Sequence, residues 1–342
     1  MAIPARVVPA LALLLGLSVG QAMARDLTVV SRGAAMAAAV HSTFVVPFTS
    51  ATGIKIIEQS WDGGGTDLKT MADQWDVVAL NPEEAATACN AGSLEKLDWS
   101  QIGGKDHYQA LGESDCTVGA TVSSLVLAWD REKTSGTPAW SDFWDVAKLP
   151  GKRGLRRGVR GNLEIALMAD GVAPADVYKT LATSEGVDRA FRKLDQLKPY
   201  IVWWQTEADA ARILASGDVL MTSAPSDQIV LAGKASHRDF GIQWTDSLYE
   251  PYAWGVIKNS PNLRLAQQFL YFIGTPAIEA RMTAEFGLGG LAKGANELLP
   301  ANLQGLSPTA AANLKLGLQE DSAFWHDNLA KLQQRFDAWL TH

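Results

Sequence analysis

The chain has few of the residues that carry most metal and nucleophile chemistry. Only two of its 342 residues are cysteine and only five are histidine. Cys89 and Cys116 lie far apart and lack the close paired spacing of zinc ligands. His41, His107, His237, His326 and His342 are scattered, and no two are spaced to meet on one helix face. No metal site is expected. There is no Gly-x-Ser-x-Gly elbow, no His-Glu-x-x-His and no Walker-type loop, and no spacing singles out a pair of acids as general acid and base. Catalytic residues are therefore not expected, nor is a cofactor. Gly287-Leu-Gly289-Gly-Leu-Ala292 matches a loose dinucleotide pattern, but it follows a helical stretch (about Ile278 to Phe286) instead of a strand, and reads as a helix stop and loop. A concentrated basic face is also missing, which excludes a nucleic-acid partner. The one basic run, Lys152-Arg153-Gly-Leu-Arg156-Arg157-Gly-Val-Arg160, reads first as a solvated loop and strand edge and second as an anion-binding face. Internal repeats, heptads and Pro/Ser-rich linkers are absent from the sequence as well.

Long apolar runs occur once, at the start. Arg6 precedes an apolar stretch from Val7 to Val19, and Ala22-Met-Ala24 supplies the small residues a signal peptidase reads. The run falls short of the roughly 20 residues a membrane span needs. Residues 1–24 are thus expected to be a cleaved secretory signal, with Arg25 the first mature residue. No cysteine follows the run to carry a lipid. An even cysteine count in an exported chain favours one disulfide, Cys89–Cys116.

Behind the signal, short β-prone segments alternate with helical patterns, the signature of α/β layers around parallel sheets. Strands are expected at Leu27–Ser31, Ile54–Ile57, Trp75–Leu80, Thr121–Trp129 and Asp218–Ser223. Helices are expected from about Ala34 to Phe48, Asp67 to Ala72, from Glu83, around Trp140–Trp144, Leu163–Met168, Val187–Leu194 and Ala208–Ser216, and through Ala266–Ile273. A last helix carries Trp325, Leu329, Leu332, Phe336 and Trp339 on one side, a docking face at helical spacing.

The first mature strand runs into Ser31-Arg32-Gly33, a small polar loop at a helix N-terminus. Ligands of open α/β sheets sit at such carboxyl ends of strands. Twelve tryptophans are many for this length, and most must pack the interior. Some stand beside carboxylates: Trp61-Asp62, Trp244 to Asp246, and Tyr249-Glu-Pro-Tyr252-Ala-Trp254, read as strand ends. A ring face with a neighbouring carboxylate suits an organic amine. Gly63-Gly-Gly65 is a weak anion-cradle signal.

Several segments together resemble the periplasmic solute-binding proteins of ABC importers, in the group similar to spermidine/putrescine-binding proteins. They are Val45-Val-Pro-Phe-Thr-Ser-Ala-Thr-Gly-Ile54, Trp75-Asp-Val-Val78, Ala91-Gly-Ser-Leu-Glu-Lys-Leu-Asp98, Trp140-Ser-Asp-Phe-Trp-Asp145, Phe191 to Trp204, and Pro261 to Thr275. Cys89 and Cys116 also look like a pair seen in that subgroup. The resemblance implies a two-lobed type II periplasmic-binding fold, each lobe a mostly parallel sheet flanked by helices and joined by crossing strands. Residues 25–129 would form the first part of lobe 1, residues 130–247 lobe 2, and residues 248–342 the return to lobe 1 plus C-terminal helices. The expected activity is capture of a small amine-containing, polyamine-like solute by a periplasmic monomer that delivers it to permease subunits. The alternatives are a zwitterion (amino acid, opine or aminophosphonate), a sensory binding protein, or, less favoured, a periplasmic enzyme on the same fold.

The ligand set implied is Ser31, Arg32, Gly33, Trp61, Asp62, Asn81, Glu83, Ser124, Glu164, Trp204, Ser226, Asp227, Trp244, Glu250, Tyr252 and Trp254. Relatives often have an aromatic where this chain has Arg32, and Trp in the loop after Asp218–Ser223, where this chain has Ala224-Pro225-Ser226-Asp227. They place an acid near Tyr252, with Glu250 the nearest substitute. An arginine in the cleft matches a carboxylate or phosphonate. Arg32 would then take the anionic end of a zwitterion and Glu83, Glu164 or Glu250 its ammonium. The other reading of Arg32 points it outward or pairs it with Asp62.

Overall fold

The computed structural model describes residues 25–64 and 67–341. The expected signal, residues 1–24, and Gly65 of the glycine triplet lie outside the described residues. Among the described residues no helix is long and apolar enough to cross a membrane.

One continuous mixed sheet organises the molecule, in the order β2-β1-β3-β8-β4-β7-β5-β6. In the first half, β1 (Leu27–Arg32), β2 (Ile56–Trp61) and β3 (Val77–Leu80) are parallel. In the second, β5 (Arg153–Arg156) runs parallel to both β6 (Ile201–Trp204) and β7 (Met221–Pro225). Two long antiparallel strands, β4 (Thr117–Asp130) and β8 (Phe240–Val256), pair with each other and run through both halves. Their register slips at Gly119/Thr121 and again at Leu125/Leu127. β3 joins β8 on one side and β7 joins β4 on the other. The two-residue strands β9 (Gly289–Gly290) and β10 (Leu318–Gln319) attach to β4 and β8.

Side chains alternate across each strand, so each half has two apolar cores. Val29 and Val77 face a core with Phe44, Phe48, Trp254, Phe269 and Met282, while Val30 and Val78 face Ala85, Ala88 and Leu94. In the other half, Leu127, Trp129 and Leu155 pack with Leu163 and Phe191, and Ala128 and Ala224 pack with Ile213 and Ile229. The last helix, Ser322–Thr341, inserts Trp325, Leu332 and Phe336 into this second half. The chain that returns through β8 therefore ends by packing on the second half. Leu329, expected on the same docking stripe, is 43% exposed.

Several boundaries move for local reasons. The expected Ala34–Phe48 helix is two helices, Gly33–Val40 and Val46–Thr52, joined by a π-helical turn at His41–Val45. Gly53 closes it with φ +72°, so β2 starts at Ile56 and not Ile54. The Asp67–Ala72 segment is only a 3₁₀ turn, capped by the Asp67 carboxylate on the Lys69 N–H. Ala224-Pro225 continues β7 instead of forming a loop, and Ser226 opens the helix Ser226–Ser236. Cys89, at the end of the helix Pro82–Asn90, is bonded to Cys116, with Cα atoms 5.7 Å apart. The bond ties that helix to the root of β4.

Candidate solute-binding crevice

The parallel strands of both halves point their carboxyl ends at one crevice of about 690 Å³, a volume in the range of small-molecule sites. Each end delivers a residue to the wall. β1 ends in Arg32 and is followed by Gly33, β2 is followed by Asp62, and β3 by Asn81. From the second half, β5 brings Arg156, β6 brings Trp204, and β7 brings Pro225 and then Asp227. The floor is the crossing pair itself. Ser123 and Leu125 on β4 and Glu250 and Tyr252 on β8 line it at the two-residue spacing of one sheet face.

Most of the charges here are already paired. Arg32 forms an ion pair with Glu84 and stands over the Trp61 ring at 5.8 Å. Burial opposes the Arg32 charge, but the Glu84 carboxylate outweighs it and holds the guanidinium above its ordinary value. Glu84 also accepts the Asn81 N–H at 3.0 Å while Asn81 Oδ1 accepts the Glu84 N–H at 2.8 Å, a capping box. One carboxylate thus starts a helix and clamps the arginine. Gly63 makes room for it: a Cβ there would lie 2.3 Å from Glu84 and 2.6 Å from Arg32. Arg32 lines the crevice and pairs with Glu84, so neither the outward arrangement nor the Asp62 pairing is found.

Arg160 bridges the halves of the floor. It donates to Glu250 at 2.8 Å and to Glu320 at 2.6 Å. Burial works against its charge, but the two carboxylates more than compensate and raise its titration. The Tyr252 hydroxyl donates to Glu250 at 3.1 Å, and burial beside that acid pushes the phenol well up.

Four groups on the second half are not consumed in this way. Among the described residues the Arg156 guanidinium forms no salt bridge, although its charge acts on Glu207 and Glu320, and the buried Trp204 Nε1–H has no acceptor. Arg156 and Trp204 are register partners at the ends of β5 and β6. Asp227, in the first turn of the helix Ser226–Ser236, is buried and accepts side-chain hydrogen bonds from Ser123 at 3.3 Å and Gln228 at 2.7 Å, with no salt bridge among the described residues. Burial raises its carboxyl above the usual aspartate range. Glu207 joins it from the start of the helix Glu207–Ala215, raised by desolvation and by the Asp227 charge, against which the nearby Arg156 charge works.

Eight of the sequence-derived residues line this crevice: Arg32, Gly33, Asp62, Asn81, Trp204, Asp227, Glu250 and Tyr252. The other eight do not. Ser31 is buried within β1, and Trp61 packs on Trp75 at 5.8 Å beneath Arg32. Ser124 lies on the opposite strand face from Ser123, which takes its place. Glu83 faces away from the crevice and pairs with His326. Glu164 is sealed behind the floor, accepting Trp325 Nε1–H at 2.7 Å and Tyr178 O–H at 3.0 Å; burial lifts it to about 7. Ser226 is fully buried at its helix start. Trp244 and Trp254 sit inside β8, not at a strand end: Trp244 donates to Gly305 O at 3.0 Å and Trp254 packs in the first core. Sequence reasoning missed Ser123, Glu207 and Glu320, and gave the basic run containing Arg156 and Arg160 its solvated reading first. Arg153 of that run is buried, bonded to Phe143 O at 2.7 Å.

Two halves on shared strands, with a charged crevice at their strand ends, have the architecture of a two-lobed solute receptor. The chain belongs to the family described as bacterial extracellular solute-binding protein, whose model matches residues 43–311. It is 40% identical over 324 residues to the gamma-aminobutyric acid-binding protein of Pseudomonas aeruginosa, across 93% of this chain and 92% of that one. It is similar in structure to an ABC transporter substrate-binding protein from Bradyrhizobium japonicum USDA 110, with TM-score 0.77, 29% identity, and coverage of 92% of this chain and 99% of that one. The Atu4243-GABA receptor superposes with TM-score 0.76 at 27% identity, covering 92% and 97%. The chain is a solute-binding protein of that extracellular family.

Proposed function

We propose that the solute is a short zwitterion with a separated ammonium and carboxylate, γ-aminobutyrate being the first candidate. The observation that carries this reading is the Arg156–Trp204 pair at the ends of β5 and β6. A guanidinium held in no salt bridge, on the strand beside an indole N–H without an acceptor, is suited to an anion. An unmet buried donor costs about 1–3 kcal/mol, which a ligand carboxylate recovers. Asp227 supplies the opposite pole, since a buried acid kept from salt bridges gains most from an incoming ammonium. The names of the Pseudomonas relative and of the Atu4243 receptor support the same class.

The polyamine expectation loses its main argument here. A diamine would leave Arg156 and Arg32 facing a second ammonium, and the relatives favour the zwitterion alternative. Delivery to permease subunits and export by a cleaved signal follow from the family as parts of this proposal.

Calorimetry with γ-aminobutyrate, β-alanine, 5-aminovalerate, butyrate, n-butylamine and putrescine tests it. An ω-amino acid should bind best, and its thermal stabilisation at 100 times Kd should amount to about 2.7 kcal/mol. Tight putrescine binding with no response to any zwitterion would sink the reading.

A further inference from the structure

Among the described residues, two polar side-chain contacts join helices that pack in different halves. In one, Lys234 reaches from the helix Ser226–Ser236 to the end of the helix Pro276–Phe286. Its Nζ donates to Ala284 O at 2.6 Å and Glu285 O at 2.9 Å. These helices belong to different cores, Ile229 to one and Met282 to the other. They meet at Gly287, which turns with φ +77° and has so little room that a Cβ would lie 2.9 Å from Val230. A cation at the last carbonyls of a helix complements its dipole.

In the other, His326 of the C-terminal helix pairs with Glu83 of the helix Pro82–Asn90. Again the partners come from different cores, Trp325 from one and Ala85 from the other. Neither Lys234 nor His326 lines the crevice. Their neighbours do: Asp227, Gln228 and Leu231 precede Lys234 along one helix, and Phe286 and Leu288 flank Gly287. The contact therefore holds opposite crevice walls at a fixed spacing.

We propose that Lys234 and the His326–Glu83 pair are positioning residues that clasp the lobes together and so set how long a captured solute stays. They act through the walls and touch no ligand. This rests on the ligand reading above for its kinetic arm only.

The test places a donor and an acceptor dye on encoded residues replacing Tyr200 and Tyr271, exposed positions on the two halves. Distance distributions of the full chain are measured first without solute. Lys234→Met and His326→Ala should each shift the population to longer separations, and Lys234→Arg should restore the wild-type distribution. With γ-aminobutyrate, Lys234→Met should speed dissociation about fivefold while association stays within about twofold. A solute-free distribution in Lys234→Met that coincides with wild type overturns the proposal. Failure of wild type to bind γ-aminobutyrate would refute the ligand reading alone, since the distance measurement still decides the clasp.

Discussion

Arg156 and Arg160 lie four residues apart and both line the crevice, yet their surroundings give them opposite jobs. Arg160 is committed to Glu250 and Glu320, whose side chains are 13% and 12% exposed. Arg156 forms no salt bridge among the described residues, its charge reaching Glu207 and Glu320 only at longer range. Replacing Arg156 by Gln should therefore cost binding and spare folding. A hydrogen-bonded charge contact is worth about 1.5–3 kcal/mol, so Kd for γ-aminobutyrate should rise about 10- to 150-fold. Butyrate should weaken in parallel, and n-butylamine, which has no carboxylate, should not. Arg160→Met should do the reverse in emphasis. It strands two largely buried acids, a loss of about 2–4 kcal/mol in folding once their partial exposure is allowed for, or roughly 3–6 °C in melting temperature for a chain of this size. Titration calorimetry and thermal melts on the two variants give the answer. Arg156→Gln binding γ-aminobutyrate within about threefold of wild type would refute the reasoning, as would equal loss of butylamine.

Other expectations follow from the same geometry. Asp227→Asn should weaken amines and ω-amino acids alike by about tenfold or more while leaving butyrate unaffected, as read by calorimetry. Because burial raises the Asp227 carboxyl and an ammonium needs it ionised, affinity should fall as the pH drops through that elevated titration, with protons released on binding there. The acid limb should vanish in Asp227→Asn, and a limb that persists assigns it elsewhere. Arg32→Trp removes a cation and frees Glu84, so the ratio of putrescine to γ-aminobutyrate affinity should rise at least about tenfold; an unchanged ratio in a competition assay would show that Arg32 does not sort ligands. The Cys89–Cys116 bond closes a loop with a sequence separation of 27, so the double alanine variant should lose about 3–4 kcal/mol in denaturant unfolding.

The parts of the fold legible in the sequence are those where one local rule decides. Alternating apolar strands and helical stripes exposed the α/β layering, and the even cysteine count indicated the disulfide now seen. The first mature strand, with its Ser31-Arg32-Gly33 turn, located one crevice wall. The long strand β8 was hidden because Asp246, Glu250 and Pro251 interrupt its pattern. It tolerates them because it crosses from one half to the other and lines a polar cleft midway. Reading that stretch as strand ends put Trp244 and Trp254 in the site, while pairing inside a sheet buries both. Ser124 failed by a single residue, which on a strand means the opposite face. Glu84 and Glu320 were beyond local reading: each matters through an arginine far away in sequence, Arg32 and Arg160. The basic run misled because composition cannot separate a buried Arg153 and a floor-bridging Arg160 from a solvated edge.

Both bodies of the molecule are threaded on the same two-stranded ribbon, with consequences for anyone wishing to trim or instrument it. Neither body can be excised, since any cut strips β4 or β8 of its partner and bares a row of unpaired amides and carbonyls. Relative movement is restricted to wringing or flexing that ribbon, and the slips at Gly119/Thr121 and Leu125/Leu127 are where it yields most easily. A sensor made from this protein should therefore have its reporter spliced into a surface bend of the intact chain, where a torsion of the ribbon becomes a signal.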